Sequence, residues 1–335
     1  MWVVKYRKVF YTFSGILVIA SFVSLFVWGL KPGIDFSGGT LIEVSYAPVS
    51  TSTMVSSLGT RPDQSAVSAA LVAIDPTASI RPSGNDEFIV RMKAVDQTEK
   101  EAVMSALSLN GAATTTLKTF DSIGPVLGAE ALRKAYVSIL LVILGIVLYV
   151  TFAFRKVSEP VQSWKYGLVA VAALVHDVII PTGVFSVLGH FAGYEVDTLF
   201  VTALLVILGF SVHDTIVVFD RVRENLRHAA TTGGVAKADQ GNNGSGKKTF
   251  AQIVGESVSQ TFTRSINTSL TTLLALVVLY FLGGSTTEHF SLALIVGIAV
   301  GTYSSVFIGS PLLVTIENWG KGKKAAAANG NSKKK

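Results

Sequence analysis

LFVTALLVILGFSVHDTIVV, residues 199–218, decides what kind of protein this chain is. The run is apolar and long enough to cross a hydrocarbon core of about 30 Å, which takes about 20 helical residues. One residue breaks that character. Asp214 is a carboxylate inside the run, and a charge in hydrocarbon costs on the order of 2.5–3.5 kcal/mol on insertion scales. Folding a helix does not require it, so the charge serves ion or proton movement, or pairs across helices. Two other apolar runs have polar centres: LVHDVII holds His176 and Asp177, and QTFTRSINTSLTTLL holds Arg264.

The rest of the chain agrees with a membrane class. Half of its 335 residues are hydrophobic and 15% are charged, against roughly a quarter charged in soluble proteins. About six spans meet the length criterion: residues 9–30, 135–154, 166–188, 199–219, 257–282 and 290–314. The first is too long for the apolar core of a signal peptide and no A-x-A-like site follows it, so it is read as a retained span. The absence of cysteine excludes disulfides and thiolate metal sites.

The net charge of +6 could suggest nucleic acid, but its placement does not. Lys5, Arg7 and Lys8 precede span one, and Arg155, Lys156 and Lys165 lie between spans two and three. Arg221, Arg223, Arg227, Lys247 and Lys248 lie between spans four and five, and Lys321, Lys323, Lys324 and residues 333–335 end the chain. Residues 189–198 and 283–289 hold acids and histidines but no Lys or Arg. This is the positive-inside pattern, with both termini cytoplasmic and residues 31–134 outside.

Residues 31–134 read as a domain of their own. Residues 40–46 alternate as a strand, 64–74 have helical spacing, 79–82 and 87–93 flank a Ser83-Gly84-Asn85 turn, 98–109 are helical and 114–120 are β-rich. The order β-α-β-β-α-β predicts a ferredoxin-like unit. The expected fold class is therefore a membrane all-α bundle of six transmembrane helices with an inserted extracytoplasmic α+β ferredoxin-like domain. Residues 1–30 form the cytoplasmic N-terminus and first helix, and 31–134 the inserted domain. Residues 135–319 form helices two to six, with a flexible cytoplasmic loop at 228–249. Residues 320–335 form a disordered basic cytoplasmic tail, which could touch anionic membrane lipid.

Several segments outside the opening run are distinctive. GIDFSGGT (33–40) follows span one; its Gly38-Gly39 pair permits positive φ and close backbone approach, and Asp35 can bond local backbone. SIGPVLG (122–128) leads into span two, GFSVHDTIVVFDRVREN covers 209–225, and QTFTRSINTSLTTL covers 260–273. In order, spacing and six-span layout the chain resembles the SecF branch of the SecD/SecF family over about residues 6–319. The motif residues are Gly33, Asp35, Phe36, Gly38, Gly39, Asp220 and Arg221.

The resemblance implies half of a proton-driven transporter of the resistance-nodulation-division type, in the plasma (inner) membrane of a prokaryote. It implies SecD as heterodimer partner, the SecYEG channel, SecA and a YajC-like accessory subunit as further partners, and preproteins as substrate. The proton motive force would assist and complete translocation through SecYEG. It also places a proton pathway at the fourth-span Asp and a fifth-span Arg, which here are Asp214 and Arg264. Helical rise puts the two at depths that agree to about one turn, with Asp177 nearer the midplane. Arg264 cannot titrate in practice and would be a counter-charge, whereas Asp214 can take and release a proton. His176 and His213 adjoin the two acids, and His213 points about 100° away from Asp214. Na⁺ could replace the proton, because Ser211 and Thr215 lie near Asp214.

Other chemistries find no motif. There is no G-x-x-x-x-G-K-[ST] loop, no H-E-x-x-H and no G-x-S-x-G, so no enzyme, cofactor, metal or nucleic-acid role is expected. Two alternatives stay open: a structural or assembly subunit of the export complex in which the polar pair is glue, and a small-molecule exporter of the same superfamily. Gly297, Gly301, Ser305 and Gly309 recur every four residues as a packing face, either internal scaffold or a contact with SecD.

Overall fold

The computed structural model describes residues 2–47, 61–154, 162–232 and 248–319. Residues 320–335, residues 233–247 of the expected loop, and Arg155, Lys156 and Lys247 lie outside the described residues. The chain divides into two compact units, residues 1–31 with 137–335, and residues 32–136. The elements run α1 (Trp2–Lys5), α2 (Arg7–Val27), α3 (Ile34–Ser37), β1 (Gly39–Tyr46), α4 (Gln64–Val72), β2 (Ser79–Ser83) and β3 (Glu87–Met92). They continue with α5 (Gln97–Leu107), β4 (Thr115–Ile123), α6 (Pro125–Ala153), α7 (Ser163–Phe191), α8 (Thr198–Thr232), α9 (Phe250–Leu282) and α10 (Ser285–Ser304). After α10 the helix passes through a π-helical turn, Ser305–Gly309, and continues to Trp319.

Six of these helices are long and apolar enough to cross a membrane: α2, α6, α7, α8, α9 and α10 with its continuation. The chain is thus a multi-pass membrane protein. The packing is uneven. The apolar windows of α7 and α10 are more than half buried, whereas α6 and α9 leave most of theirs uncovered. Small residues bring helices together. A Cβ on Gly183 of α7 would lie 2.3 Å from the Ser21 Cβ of α2, so this crossing needs glycine. Ser24 Oγ donates to Gly183 O at 3.1 Å, and Ser186 Oγ donates to Ser24 O at 2.9 Å.

Three spans run well past their expected ends, and one of them, α6, starts at Pro125 rather than 135. Helix α8 continues thirteen residues beyond Phe219 to Thr232, through part of the stretch read as a flexible loop from 228. DRVRENLRHAATT contains no Gly or Pro and keeps an apolar face: Val222 and Leu226 are buried with Phe250, Ile253 and Val254 of α9. Helix α9 starts at Phe250 rather than 257. Its first turn is fixed by a capping box, in which Thr249 Oγ1 accepts from Gln252 N and Thr249 N donates to the Gln252 side chain.

The 32–136 unit holds one antiparallel sheet, in the order β2-β3-β1-β4. Strand β4 reaches three residues further than expected, because Asp121, Ser122 and Ile123 pair with Leu41, Thr40 and Gly39. Strand β3 alternates buried Phe88, Val90 and Met92 with partly exposed residues. These join Ile42, Val44, Val67, Leu71, Val103 and Leu107 in one core packed by α4 and α5. Each fully buried aliphatic or aromatic side chain contributes about 1.5–3 kcal/mol.

Asp75 pins the loop between α4 and β2. It is 3% exposed. It accepts from Thr77 N at 2.8 Å, Thr77 Oγ1 at 2.6 Å and Lys93 N at 2.7 Å. Burial pushes its carboxyl up, but those hydrogen bonds and the Lys93 charge outweigh burial and hold it below the usual range. A depressed folded pKa means its contribution is present above the unfolded value, about 3.9, and lost as pH falls through the folded one. Asp75→Ala is expected to leave buried donors unsatisfied, at about 1–3 kcal/mol. Amide exchange at Thr77 and Lys93 checks this: faster exchange in the variant is expected, and unchanged protection would show that the carboxylate does not hold the loop.

Candidate functional site

The core of the membrane unit holds two buried carboxylates in different surroundings. Helix α7 runs through LVHDVII with Val175 exposed and Leu174 and Ile180 buried beside His176 and Asp177, which are at 7% and 0% exposure. Asp177 is fully partnered. Its Oδ1 lies 2.8 Å from His176 Nδ1, and its Oδ2 accepts from Ser211 Oγ of α8 at 2.5 Å and Ser304 Oγ of α10 at 2.7 Å. His176 Nε2 lies 3.1 Å from Ser14 Oγ of α2. One acid therefore ties together α2, α7, α8 and α10.

Asp214 is the contrast. It is 3% exposed, one turn along α8 from Ser211, yet its Oδ2 has no hydrogen-bond partner among the described residues. Ser265 of α9 is the hydroxyl that acts on it, and the Ser265 Oγ is likewise buried and without a hydrogen-bond partner. Neither Asp214 Oδ2 nor Ser265 Oγ has a hydrogen-bond partner within normal geometry among the described residues. A buried carboxylate oxygen left in this way is costly, and it can be relieved by a proton on that oxygen or by a bound cation.

Hydroxyls fill the space around the two acids. Thr215 Oγ1 lies 3.0 Å from Ser305 Oγ, and Thr302 Oγ1 lies 2.6 Å from Ser269 Oγ. The π-helical turn sits at this level. The carbonyl of Ser305 is taken up by Ser310 Oγ at 3.1 Å. The turn keeps adjacent Ser304 and Ser305 both fully buried, the first on Asp177 and the second on Thr215. Such turns inside α-helices occur frequently at functional sites.

Glycines set how closely α10 approaches. A Cβ on Gly301 would lie 3.3 Å from Ser211 Cβ and 3.6 Å from Asp177 Oδ2, and one on Gly297 would lie 2.1 Å from Ile207 Cδ1. The four-residue face of α10 is thus used within the chain, against α7 and α8. Gly297→Leu is expected to destabilise the bundle by about 1–3 kcal/mol or more through overpacking. Gly209→Leu on α8, with nothing within 4 Å of its Cβ, is expected to be near neutral. Unfolding in detergent compares them, and equal stability would contradict the close approach.

The remaining expected site residues separate from this core. Arg264 makes no ion pair with Asp214 among the described residues. It lies on the exposed face of α9, its charge reaching Asp214 from there, while its neighbour Ser265 takes the inward position. Arg264 belongs to an exposed polar stripe with Gln260, Thr263, Asn267, Thr268 and Thr271. His213 is exposed on α8. Asp220 and Arg221 lie on the continuation of α8, where Arg221 Nε donates to Gln260 Oε1 at 2.6 Å and Arg221 Nη1 pairs with Glu224 at 2.5 Å. Asp220 meets Arg223 at 3.8 Å. Gly33, Asp35, Phe36, Gly38 and Gly39 stand apart, in the 32–136 unit. Among the described residues no group of three or more potential metal ligands occurs.

Ser14, Ser265 and Ser304 were not singled out from sequence. Buried serines on apolar helices are common, and only the packing shows which ones meet an acid.

Residues 103–319 match the family described as protein export membrane protein SecD/SecF, C-terminal, and residues 23–48 match the SecD/SecF GG motif. The chain belongs to the SecD/SecF family. It is 40% identical over 321 residues to the protein translocase subunit SecF of Thermobaculum terrenum, covering 94% of each chain. It is 35% identical over 311 residues to the SecF of Pseudomonas aeruginosa, covering 92% of this chain and 89% of that one. Among solved structures, SecDF of Thermus thermophilus, described as a translocon-associated membrane protein, superposes with a TM-score of 0.73 at 30% identity. That match covers 94% of this chain but 38% of the longer SecDF chain. Within the SecD/SecF family, then, this chain corresponds in length to the SecF relatives and to part of SecDF.

Proposed function

We propose that this chain is the SecF-type subunit of a protein-export complex, a transport component rather than an enzyme, in which proton movement through Asp214 assists preprotein translocation. The observation that carries this reading is the buried, unpartnered Asp214 Oδ2 opposite Ser265. A fully partnered carboxylate such as Asp177 is suited to hold helices together. One with a free oxygen is suited to gain and lose a proton, and one elementary charge crossing 100 mV releases about 2.3 kcal/mol.

SecD is the proposed partner, and SecYEG with SecA the proposed channel and motor. Two features support a membrane partner. The exposed stripe around Arg264 and Asn267 is too polar to face lipid, and α6 and α9 leave most of their apolar windows uncovered. In this reading the partner packs on α9, and the water-filled or protein-lined boundary so formed gives Arg264 and His213 access to the proton route. In this reading both termini are cytoplasmic and the 32–136 unit is outside, an orientation that the distribution of basic residues supports. That unit, with its split β-α-β order and β2-β3-β1-β4 sheet, is read as ferredoxin-like.

The test uses membrane vesicles containing this chain, SecD and SecYEG. Completion of preprotein translocation after the SecA-driven step is followed with and without a proton gradient. Dependence on the gradient only when this chain is present is expected. Gradient dependence that persists without the chain would overturn the reading.

A further inference from the structure

We propose that the groove between the N-terminal helices and α9 binds the head group of an acidic glycerophospholipid. The groove opens at the end of the membrane unit where α1 gives way to α2. Its volume is about 890 Å³, within the range of about 300–1,000 Å³ usual for small-molecule sites. Lys5, Arg7 and Lys8 line it, together with Trp2, Tyr6 and Ala251 of α9. None of its lining residues is acidic.

These cations differ from others in the chain. Lys31, Lys93, Lys118, Lys134, Lys165 and Lys248 each pair with a carboxylate. Lys5, Arg7 and Lys8 form no ion pair among the described residues. Lys5 Nζ lies 5.6 Å from the centroid of the Tyr6 ring, a cation–π distance that leaves its charge uncompensated. Three like charges around one groove repel each other, and a phosphate entering it relieves that repulsion.

The walls of the groove are already built. Val3 of α1 is 2% exposed and packs in the same apolar cluster as Phe250 and Ile253 of α9. Trp2 rests on Phe10 of α2 at 5.9 Å and on Phe307 of the π-helical turn at 5.6 Å. Phe10 and Phe307 are themselves 4.7 Å apart. Trp and Tyr are enriched where a membrane protein meets the head groups, and Trp2 and Tyr6 stand at that level beside the cations. From the groove, α2 continues with Val9, Phe13, Ile16 and Ile19 exposed along one side. The three cations suit the phosphate, and the apolar strip suits an acyl chain. A soluble anion uses only the first of these features, whereas basic pockets among membrane helices take anionic lipid head groups. The site does not depend on the export reading or on which way the chain is oriented.

Trp2 reports on occupancy. Trp28→Phe, Trp164→Phe and Trp319→Phe leave it as the only tryptophan of the full chain. That chain is placed in phosphatidylcholine bilayers containing a minor fraction of lipid brominated high on its acyl chains, either phosphatidylglycerol or phosphatidylcholine. Quenching of Trp2 is expected to give a relative binding constant of about ten in favour of phosphatidylglycerol, because each juxtamembrane cation attracts anionic lipid. Replacing Lys5, Arg7 and Lys8 together by Gln should bring the ratio to about one. Lys248→Gln, which removes a cation already paired with Glu256, should leave it near its starting value, and excess inorganic phosphate should not displace the lipid. The chain with all its tryptophans gives a second readout: phosphatidylglycerol retained through detergent purification, and lost in the triple Gln variant. Equal quenching by the two lipids, or retention unaltered by the triple substitution, would overturn the proposal. So would a Lys248→Gln effect as large as that of the triple variant, which would mean diffuse surface charge. Displacement by inorganic phosphate would overturn it in favour of a soluble anion. Loss of quenching by both lipids once SecD is bound would overturn it in favour of a protein contact.

Discussion

Asp214→Asn is expected to abolish the gradient-dependent part of export while leaving the complex assembled. The substitution keeps the shape of the side chain and one acceptor oxygen, and replaces the other oxygen by an NH2 group that does not ionise near neutral pH. Because Asp214 makes few hydrogen bonds within the chain, little packing depends on its charge. Removing a buried, unpaired carboxylate relieves a cost, so the variant should be at least as stable as the unsubstituted chain. The combination of full stability with lost coupling separates a proton carrier from interhelical glue. Loss of assembly together with loss of activity would support the structural alternative. Unchanged gradient dependence would rule out Asp214 as the carrier.

Asp177→Ala is expected to have the opposite signature. It strips the acceptor shared by His176, Ser211 and Ser304, leaving three buried groups on three helices without their common partner. The loss is on the order of 3–5 kcal/mol, comparable to breaking a buried ion pair. Asp177→Asn retains a carbonyl oxygen and the volume of the side chain, and should recover most of that loss. Unfolding in detergent, read alongside pull-down of SecD, measures both variants. Equal stability of the Ala and Asn variants would mean that the hydroxyls and the histidine find other partners, and that the network does not hold the bundle.

Much of the membrane architecture was legible because spanning a bilayer imposes a length and an apolar composition that few other structures need. The reading stopped where hydropathy stops. It therefore missed the continuation of α8, in which Val222 and Leu226 support a helix through a charged stretch by packing on α9. Depth along a helix was also legible, since each residue advances by a fixed rise, and it placed Asp214 and Arg264 at one level. Direction around the helix was not, because it depends on which face of α9 packs against α8. That face carries Ser265, so Arg264 points away. The register of β1 against β4, which extends β4 to Ile123, is a long-range pairing with no local signal. The π-helical turn has none either, although its serines stood in plain view.

The central claim is that Asp214 moves protons. Its most direct test is proton flux into liposomes containing the purified complex with SecD, followed by an internal pH dye after a gradient is imposed. The account predicts flux from the unsubstituted complex and none above background from Asp214→Asn. Equal flux from the unsubstituted and Asp214→Asn complexes would contradict it.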